Sequence, residues 1–133
     1  MSQENVELLR RLLAAFTRRD KAAWLALCDP EIEWVPPANW PESGVTRGCD
    51  AVWDFILKLD EPWTEGAYEL TEAIDAGSGT VAARLRRHVQ GGTSGVEAEF
   101  DFWNVATFRD RRLVRSEWFA GRAQALEAAG LSE

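Results

Sequence analysis

Histidine and tyrosine each occur once in these 133 residues, and cysteine only twice. A single histidine, His88, means that any chemistry needing imidazole must pass through one position. Cys28 and Cys49 have neither metal-ligand spacing nor the number for a disulfide framework, so reduced thiols in a cytoplasmic protein are the expectation. No apolar run approaches the roughly 18 residues that span a bilayer. The opening "MSQENVELLRRLL" is polar and then amphipathic, unlike a signal peptide. Basic residues never gather into a block: fifteen Lys and Arg are interspersed with twenty-two Asp and Glu, for a formal charge of -7. That balance repels polyphosphate and anionic lipid, so neither nucleic acid nor a membrane is expected as partner. No metal constellation, nucleophile–base pair or phosphate-cradling glycine loop is visible, and no metal or cofactor is expected. Internal repeats, linkers and low-complexity segments are missing too.

What the chain has in quantity is tryptophan. Seven of them (Trp24, Trp34, Trp40, Trp53, Trp63, Trp103, Trp118) stand beside six phenylalanines. Such rings serve either a Trp-rich core or interface, or the wall of an apolar cavity. At 46% apolar and 28% charged, residues 1–133 suit one domain with one core.

Periodicity gives the order of elements. Val6, Leu9, Leu13 and Phe16, with Leu8 and Leu12 alongside, predict a helix over 3–18 with Ser2 as its cap. Asp20 reads as the N-cap of a second helix over 21–28, ended by "DP" at 29–30. "EIEWV" (31–35) alternates as a short strand, and 36–48 is loop-rich in proline and glycine. Helical period returns over 50–59 and closes at Pro62. Four strands joined by hairpins follow, at 68–75, 80–90, 96–108 and 113–120, and then a helix at 122–129 capped by Gly130. This order predicts an α+β domain whose curved antiparallel or mixed sheet wraps helices on one face.

The central hairpin allows a finer reading. In "VEAEFDFWNVATF" (96–108), Val96, Ala98, Phe100 and Phe102 alternate with Glu97, Glu99 and Asp101. A four-residue loop at 91–94 would set His88, Arg86 and Arg84 opposite Glu97, Glu99 and Asp101. Leu85, Ala83 and Val81 would then face Phe100, Phe102 and Asn104. An amide, Asn104, is thus placed on the oily face.

"DPEIEW", "PESGVTRG" before an apolar helix, "SGVEAEFDFWNVATFRD" and the tail "RSEWFAGRAQALEAAGL" resemble the SnoaL-like proteins of the nuclear transport factor two-like superfamily. The resemblance implies a cone-shaped fold with a deep pocket between helices and sheet, and a homodimer formed through the outer sheet face. Relatives include polyketide cyclases, ketosteroid isomerases, limonene epoxide hydrolases and scytalone dehydratases. In the isomerase pattern the general base falls at Trp34, the oxyanion tyrosine at Leu12 and the oxyanion acid at Asn104. Only Asn104 keeps a donor. The cyclase acid falls among Ala120, Gly121 and Arg122. The epoxide-hydrolase set would need Arg84, Arg86 and Asp101, on the outer face, with its second aspartate near Ala120.

The functional expectation is a protein that binds a small hydrophobic, carbonyl-containing molecule. Leu12, Phe16, Trp34, Trp53, Phe100, Phe102, Asn104 and Trp118 are the candidate ligand-binding residues. If it is an enzyme, it is a cofactor-free isomerase, cyclase or hydrolase, with Asn104 polarising an oxygen and Glu117 as candidate base. The alternative is a non-catalytic binding or homodimeric interaction protein that has lost the family's acid–base residues, with Trp103 on its outer face. Trp118 and Glu117 are neighbours, so one faces inward. The less charged set of Val114, Ser116, Trp118 and Ala120 favours Trp118, whereas a tight two-residue turn at 109–112 would favour Glu117. His88 reads as a surface residue, Glu33 points away from the cavity, and Trp40 and Trp63 belong to its mouth or to a subunit interface.

Overall fold

A computed structural model of the chain describes residues 2–38, 44–60, 63–65, 68–91 and 97–131. Trp40, Pro62 and the loop between the central strands lie outside these residues. The first helix, α1 (Ser2–Thr17), starts at Ser2 itself, so Ser2 is its first residue instead of its cap. It buries Leu8, Leu9, Leu12, Ala15 and Phe16, one stripe at helical spacing. Helix α2 (Lys21–Ala26) is capped by Asp20, whose Oδ1 accepts from the Ala23 N–H at 3.1 Å. The helix stops at Leu27, before Asp29 and Pro30, and β1 (Cys28–Val35) runs through both. Pro30 lies where the β1 ladder shifts register, between Cys28 and Glu33, a place where its missing N–H breaks nothing.

Two short strands interrupt segments that read as loop: β2 (Thr46–Arg47), paired with β1, and β3 (Trp63–Glu65). Between them α3 (Cys49–Asp60) buries Val52 and Trp53 while Ala51, Asp54 and Lys58 face solvent. Then come β4 (Tyr68–Gly77), β5 (Thr80–Gly91), β6 (Glu97–Arg109) and β7 (Arg112–Phe119). The sheet order is β2-β1-β7-β6-β5-β3, with β4 also on β5. All pairings are antiparallel except β1 with β7, so the sheet is mixed and open. Ile32, Val52, Val81, Ala83, Leu85 and Ala106 are fully buried. Each large aliphatic among them contributes about 1.5–3 kcal/mol of transfer free energy.

The β5–β6 register departs from expectation. Gln90 faces Glu97 instead of Gly95, so Arg86 meets Asp101, His88 meets Glu99 and Leu85 meets Phe102. The slip is of two residues, and because side chains alternate with period two it leaves every residue on its expected face. Arg86 Nε stands 3.4 Å from Asp101 and 3.8 Å from Glu99, and Arg84 Nε 3.6 Å from Asp101. These exposed pairs add little stability.

The last helix, α4 (Arg122–Ala128), lies on the opposite face of the sheet from α1 and α3. Trp103 and Val105 point outward from β6, and Ala125 covers them. Trp103 is therefore only 5% exposed, and no outer-face surface is built on it. Arg122 stacks 5.1 Å from the Trp103 ring centroid and donates to Glu72 at 2.6 Å. Gly130, at φ 82°, closes the helix: its N–H reaches Glu127 O at 3.0 Å and the Leu131 N–H reaches Leu126 O at 2.8 Å.

The β4–β5 turn yields a test. Gly77 and Gly79 have φ of 83° and 79°. A Cβ on Gly77 meets nothing within 4 Å, whereas on Gly79 it would lie 2.4 Å from the Phe108 carbonyl oxygen. Gly77→Ala should cost about 1–2 kcal/mol, the left-handed penalty alone. Gly79→Ala should cost clearly more, because backbone must move. Urea unfolding midpoints compare the two, and equal midpoints would contradict this packing.

Candidate functional site

Between the helices and the inner sheet face lies a cavity of about 420 Å³. Leu9, Leu12, Leu13 and Phe16 of α1 form one wall, with Trp24 of α2 and Ile56 and Leu59 of α3. The sheet supplies Trp34, Tyr68, Phe100, Phe102, Asn104, Leu113, Ser116, Trp118 and Phe119. Of the candidate ligand-binding residues, Leu12, Phe16, Trp34, Phe100, Phe102, Asn104 and Trp118 stand on this wall. Trp53 does not: it is buried behind the wall, 5.3 Å from Phe16 and 5.4 Å from Trp24 between ring centroids. Helical spacing brings Trp53 to the core side of α3, but other rings intervene before the cavity.

The aromatic wall is continuous. Trp34 contacts Trp118 at 5.9 Å, Trp118 contacts Phe102 at 5.4 Å, Phe102 contacts Tyr68 at 6.3 Å and Tyr68 contacts Phe16 at 6.1 Å. Tilted and edge-to-face pairs of this kind favour one another by about 0.5–1.5 kcal/mol beyond simple burial. Phe100, 39% exposed, sits where the cavity meets solvent.

What stands beside Asn104 is decided by the β6–β7 hairpin. Asp110 and Arg111 both have positive φ, 52° and 65°, and close a two-residue turn between Arg109 and Arg112. Continued without interruption, that pairing would set Glu117 against Asn104. A bulge intervenes: Phe108 pairs with Leu113 but Thr107 with Arg115, leaving Val114 as the extra residue. Asn104 consequently faces Trp118, and Glu117 faces Val105 on the outer side. The Glu117 carboxylate lies 3.7 Å from Arg115 Nε and does not line the cavity. The tight turn is present, yet its expected consequence for Glu117 is cancelled within four residues.

Asn104 is 1% exposed and inward, but its donors are already engaged. Nδ2 donates to Ser116 Oγ at 2.9 Å and to the Glu117 carbonyl oxygen at 3.1 Å. That carbonyl can only accept, so it fixes the amide with nitrogen toward β7. Asn104 keeps an acceptor, not the oxyanion donor that the sequence suggested. The donating capacity passes to Ser116: its oxygen accepts from Asn104 and its own hydrogen remains to be given. Two residues along the strand, the Trp118 indole Nε1 is buried with no hydrogen-bond partner among the described residues.

Across the cavity stands Tyr68, the chain's only tyrosine. Its Oη accepts from Arg87 Nη1 at 3.1 Å, and the guanidinium lies 4.8 Å from its ring centroid. Burial pushes the phenol up to about 12, against the opposing charge of Arg19. Arg87 is itself 6% exposed, and burial, with Arg19 nearby, lowers its pKa to about 10. It remains a cation at neutral pH. Sequence reading passed over Tyr68 and Arg87. The signal was present, since the alternation that turns Val81, Ala83 and Leu85 inward does the same to Arg87.

The remaining candidates lie elsewhere. His88 is a surface residue, 63% exposed at its side chain and 3.9 Å from Glu99. Glu33 accepts from Arg47 at 2.8 Å and Arg115 at 2.7 Å, which hold its carboxyl below the ordinary range, the Arg47 hydrogen bond foremost. Asp101 touches the cavity, but its carboxylate is drawn to Arg84 and Arg86. Burial foremost, with Cys49 nearby, pushes the Cys28 thiol far up, which keeps it unreactive. Among the described residues no three His, Cys, Asp or Glu stand together to hold a metal. No described helix is long and apolar enough to cross a membrane.

An open mixed sheet wrapped around helices, with the cavity between, is the α+β cone of the nuclear transport factor two-like fold. Residues 9–116 match the SnoaL-like domain, and the chain belongs to that family. Among curated proteins there is no significant match. Among solved structures the chain is similar to TerC co-crystallised with polyporic acid, at 23% identity and TM-score 0.75, over 96% of this chain and 98% of that one. It is likewise similar to a nuclear transport factor two-like protein of unknown function from Burkholderia pseudomallei K96243, at 26% identity and TM-score 0.74, covering 93% and 95%. A candidate SnoaL-like polyketide cyclase from Jannaschia sp. CCS1 shares 16% identity with a TM-score of 0.77, covering 89% and 85%.

Because Tyr68 is the sole tyrosine, tyrosinate absorbance reports on it alone. The folded protein should show no ionisation near the ordinary value of 10.0 and a midpoint near 12. The unfolded chain releases this proton first, so folding stability from this group is complete below pH 10.0 and falls as pH rises toward about 12. An absorbance midpoint near 10.0 in folded protein would contradict its burial.

Proposed function

We propose that the protein binds a small, largely apolar molecule in this cavity and holds it through an acceptor oxygen, for which a carbonyl is the fitting chemistry. One observation carries the reading. The wall is apolar, and its polar groups with a hydrogen left to give (Ser116, Tyr68 and the unpartnered Trp118 indole) are all neutral donors. Such donors suit a neutral acceptor, and an acceptor brought to a buried orphan N–H removes a penalty of about 1–3 kcal/mol. TerC with polyporic acid lends support at the level of fold only.

Neutral donors can polarise a carbonyl, but a cyclase or isomerase also needs a proton acceptor. Among the described lining residues the single acid is Asp101, held by arginines on the outer face. Binding without acid–base chemistry by the wall is therefore the favoured reading over a cofactor-free enzyme. In this reading the chain acts as one domain, in the cytoplasm with Cys28 and Cys49 as free thiols, and as a homodimer through the outer sheet face that α4 leaves uncovered.

A matched pair tests the reading: naphthalene and 2-acetylnaphthalene, followed by tryptophan fluorescence and thermal midpoint. Both should bind, the ketone about fivefold more tightly, one net hydrogen bond's worth. At a ketone concentration near 100 times its Kd the fold should gain about 2.7 kcal/mol. Failure of both compounds to shift the midpoint or quench fluorescence would reject the proposal.

A further inference from the structure

We infer that the ligand carries an acceptor oxygen at each end of its apolar body, and that Ser116 and Tyr68 are the two groups that read them; this rests on the binding reading above. The two hydroxyls share one arrangement. Ser116 Oγ already accepts from Asn104 Nδ2, and Tyr68 Oη already accepts from Arg87 Nη1. A hydroxyl whose oxygen is occupied by a committed donor has its hydrogen directed away from that donor, and it recognises acceptors in preference to donors. Neither neighbour can reverse roles. Arg87 has no acceptor to offer, and the Glu117 carbonyl holds Asn104 with nitrogen forward. Asn104 and Arg87 are thus positioning residues, and the hydroxyls are the contacts.

The two contacts are also well separated. Ser116 lies on β7 and Tyr68 on β4, with β6 and β5 between them. Three interstrand steps of about 4.8 Å separate the strands, the ladders set Ser116 level with Val81 and Tyr68 level with Arg87, further along β5, and curvature brings their inward side chains closer. Phe102, in contact with both Tyr68 and Trp118, forms the apolar floor between. One carbonyl cannot reach both ends. An elongated rigid body with an oxygen beyond each end is the shape that spans them.

The experiment adds 2,6-diacetylnaphthalene to the naphthalene and 2-acetylnaphthalene pair, with wild type, Ser116→Ala and Tyr68→Phe. Wild type should bind the diketone about fivefold more tightly than the monoketone. In Tyr68→Phe that second increment should vanish while the first, monoketone over naphthalene, persists, and the persisting increment serves as the control for an intact cavity. Ser116→Ala should likewise lose one increment. The bound diketone's carbonyl stretching bands should both move to lower frequency in wild type and only one of them in either variant. If wild type binds the monoketone more tightly than naphthalene but gains nothing from the second carbonyl, this inference is overturned and the binding reading stands. If none of the three compounds binds, both fall.

Discussion

Side chains on a strand alternate, and in this protein that alternation is interrupted once between Asn104 and the residue it faces. Up to the turn at Asp110 and Arg111, the β6–β7 pairing is in the phase that would bring Glu117 into the cavity. Val114 adds one residue and reverses the phase. What β7 gives the inner wall follows from this. Trp118 joins the aromatic wall, Ser116 comes within reach of Asn104, and Glu117 gives its backbone carbonyl to Asn104 while its carboxylate stays outside the cavity. Desolvating a carboxylate there would cost several kcal/mol unless it were neutralised or paired. The bulge replaces that ionisable group with an indole.

Around this constraint the remaining parts agree. The carbonyl of Glu117 orients Asn104, Asn104 orients Ser116, and Arg87 does the same for Tyr68. Each polar group in the wall is held by a neighbour whose hydrogen-bonding role is fixed. Such connected networks specify one geometry, whereas half-satisfied ones do not. Trp118 is the exception, with an indole N–H that meets no partner.

Much of this was legible in the chain, and the gaps have physical causes. Helices α1 and α3 follow from apolar spacing, and the four hairpin strands from alternation bounded by the glycine-containing segments 77–79 and 91–94 and the charged turn at 109–112. The inward placement of Asn104 was readable because parity survives a slip of two. The slip itself was not, since the expected register pairs three acids with three bases and the observed one still pairs Arg86 with Asp101 and His88 with Glu99. Strands of two and three residues, β2 and β3, are too short for any periodic signal. The Val114 bulge has no mark such as glycine, so turn length taken alone points to Glu117, whereas the low charge of the Val114, Ser116, Trp118 and Ala120 set points to Trp118, the residue that faces Asn104. Arg87 went unnoticed because a cation invites an outward reading, although its strand had already assigned it inward.

The alternating charges on the outer face carry an evolutionary consequence. Since a two-residue slip keeps charge against charge at Arg86–Asp101 and His88–Glu99, descendants can gain or lose residues in pairs within these strands without turning the cavity inside out. An odd-numbered indel inside a strand would exchange its two faces beyond that point unless a bulge absorbed it, as the bulge at Val114 absorbs one residue of β7.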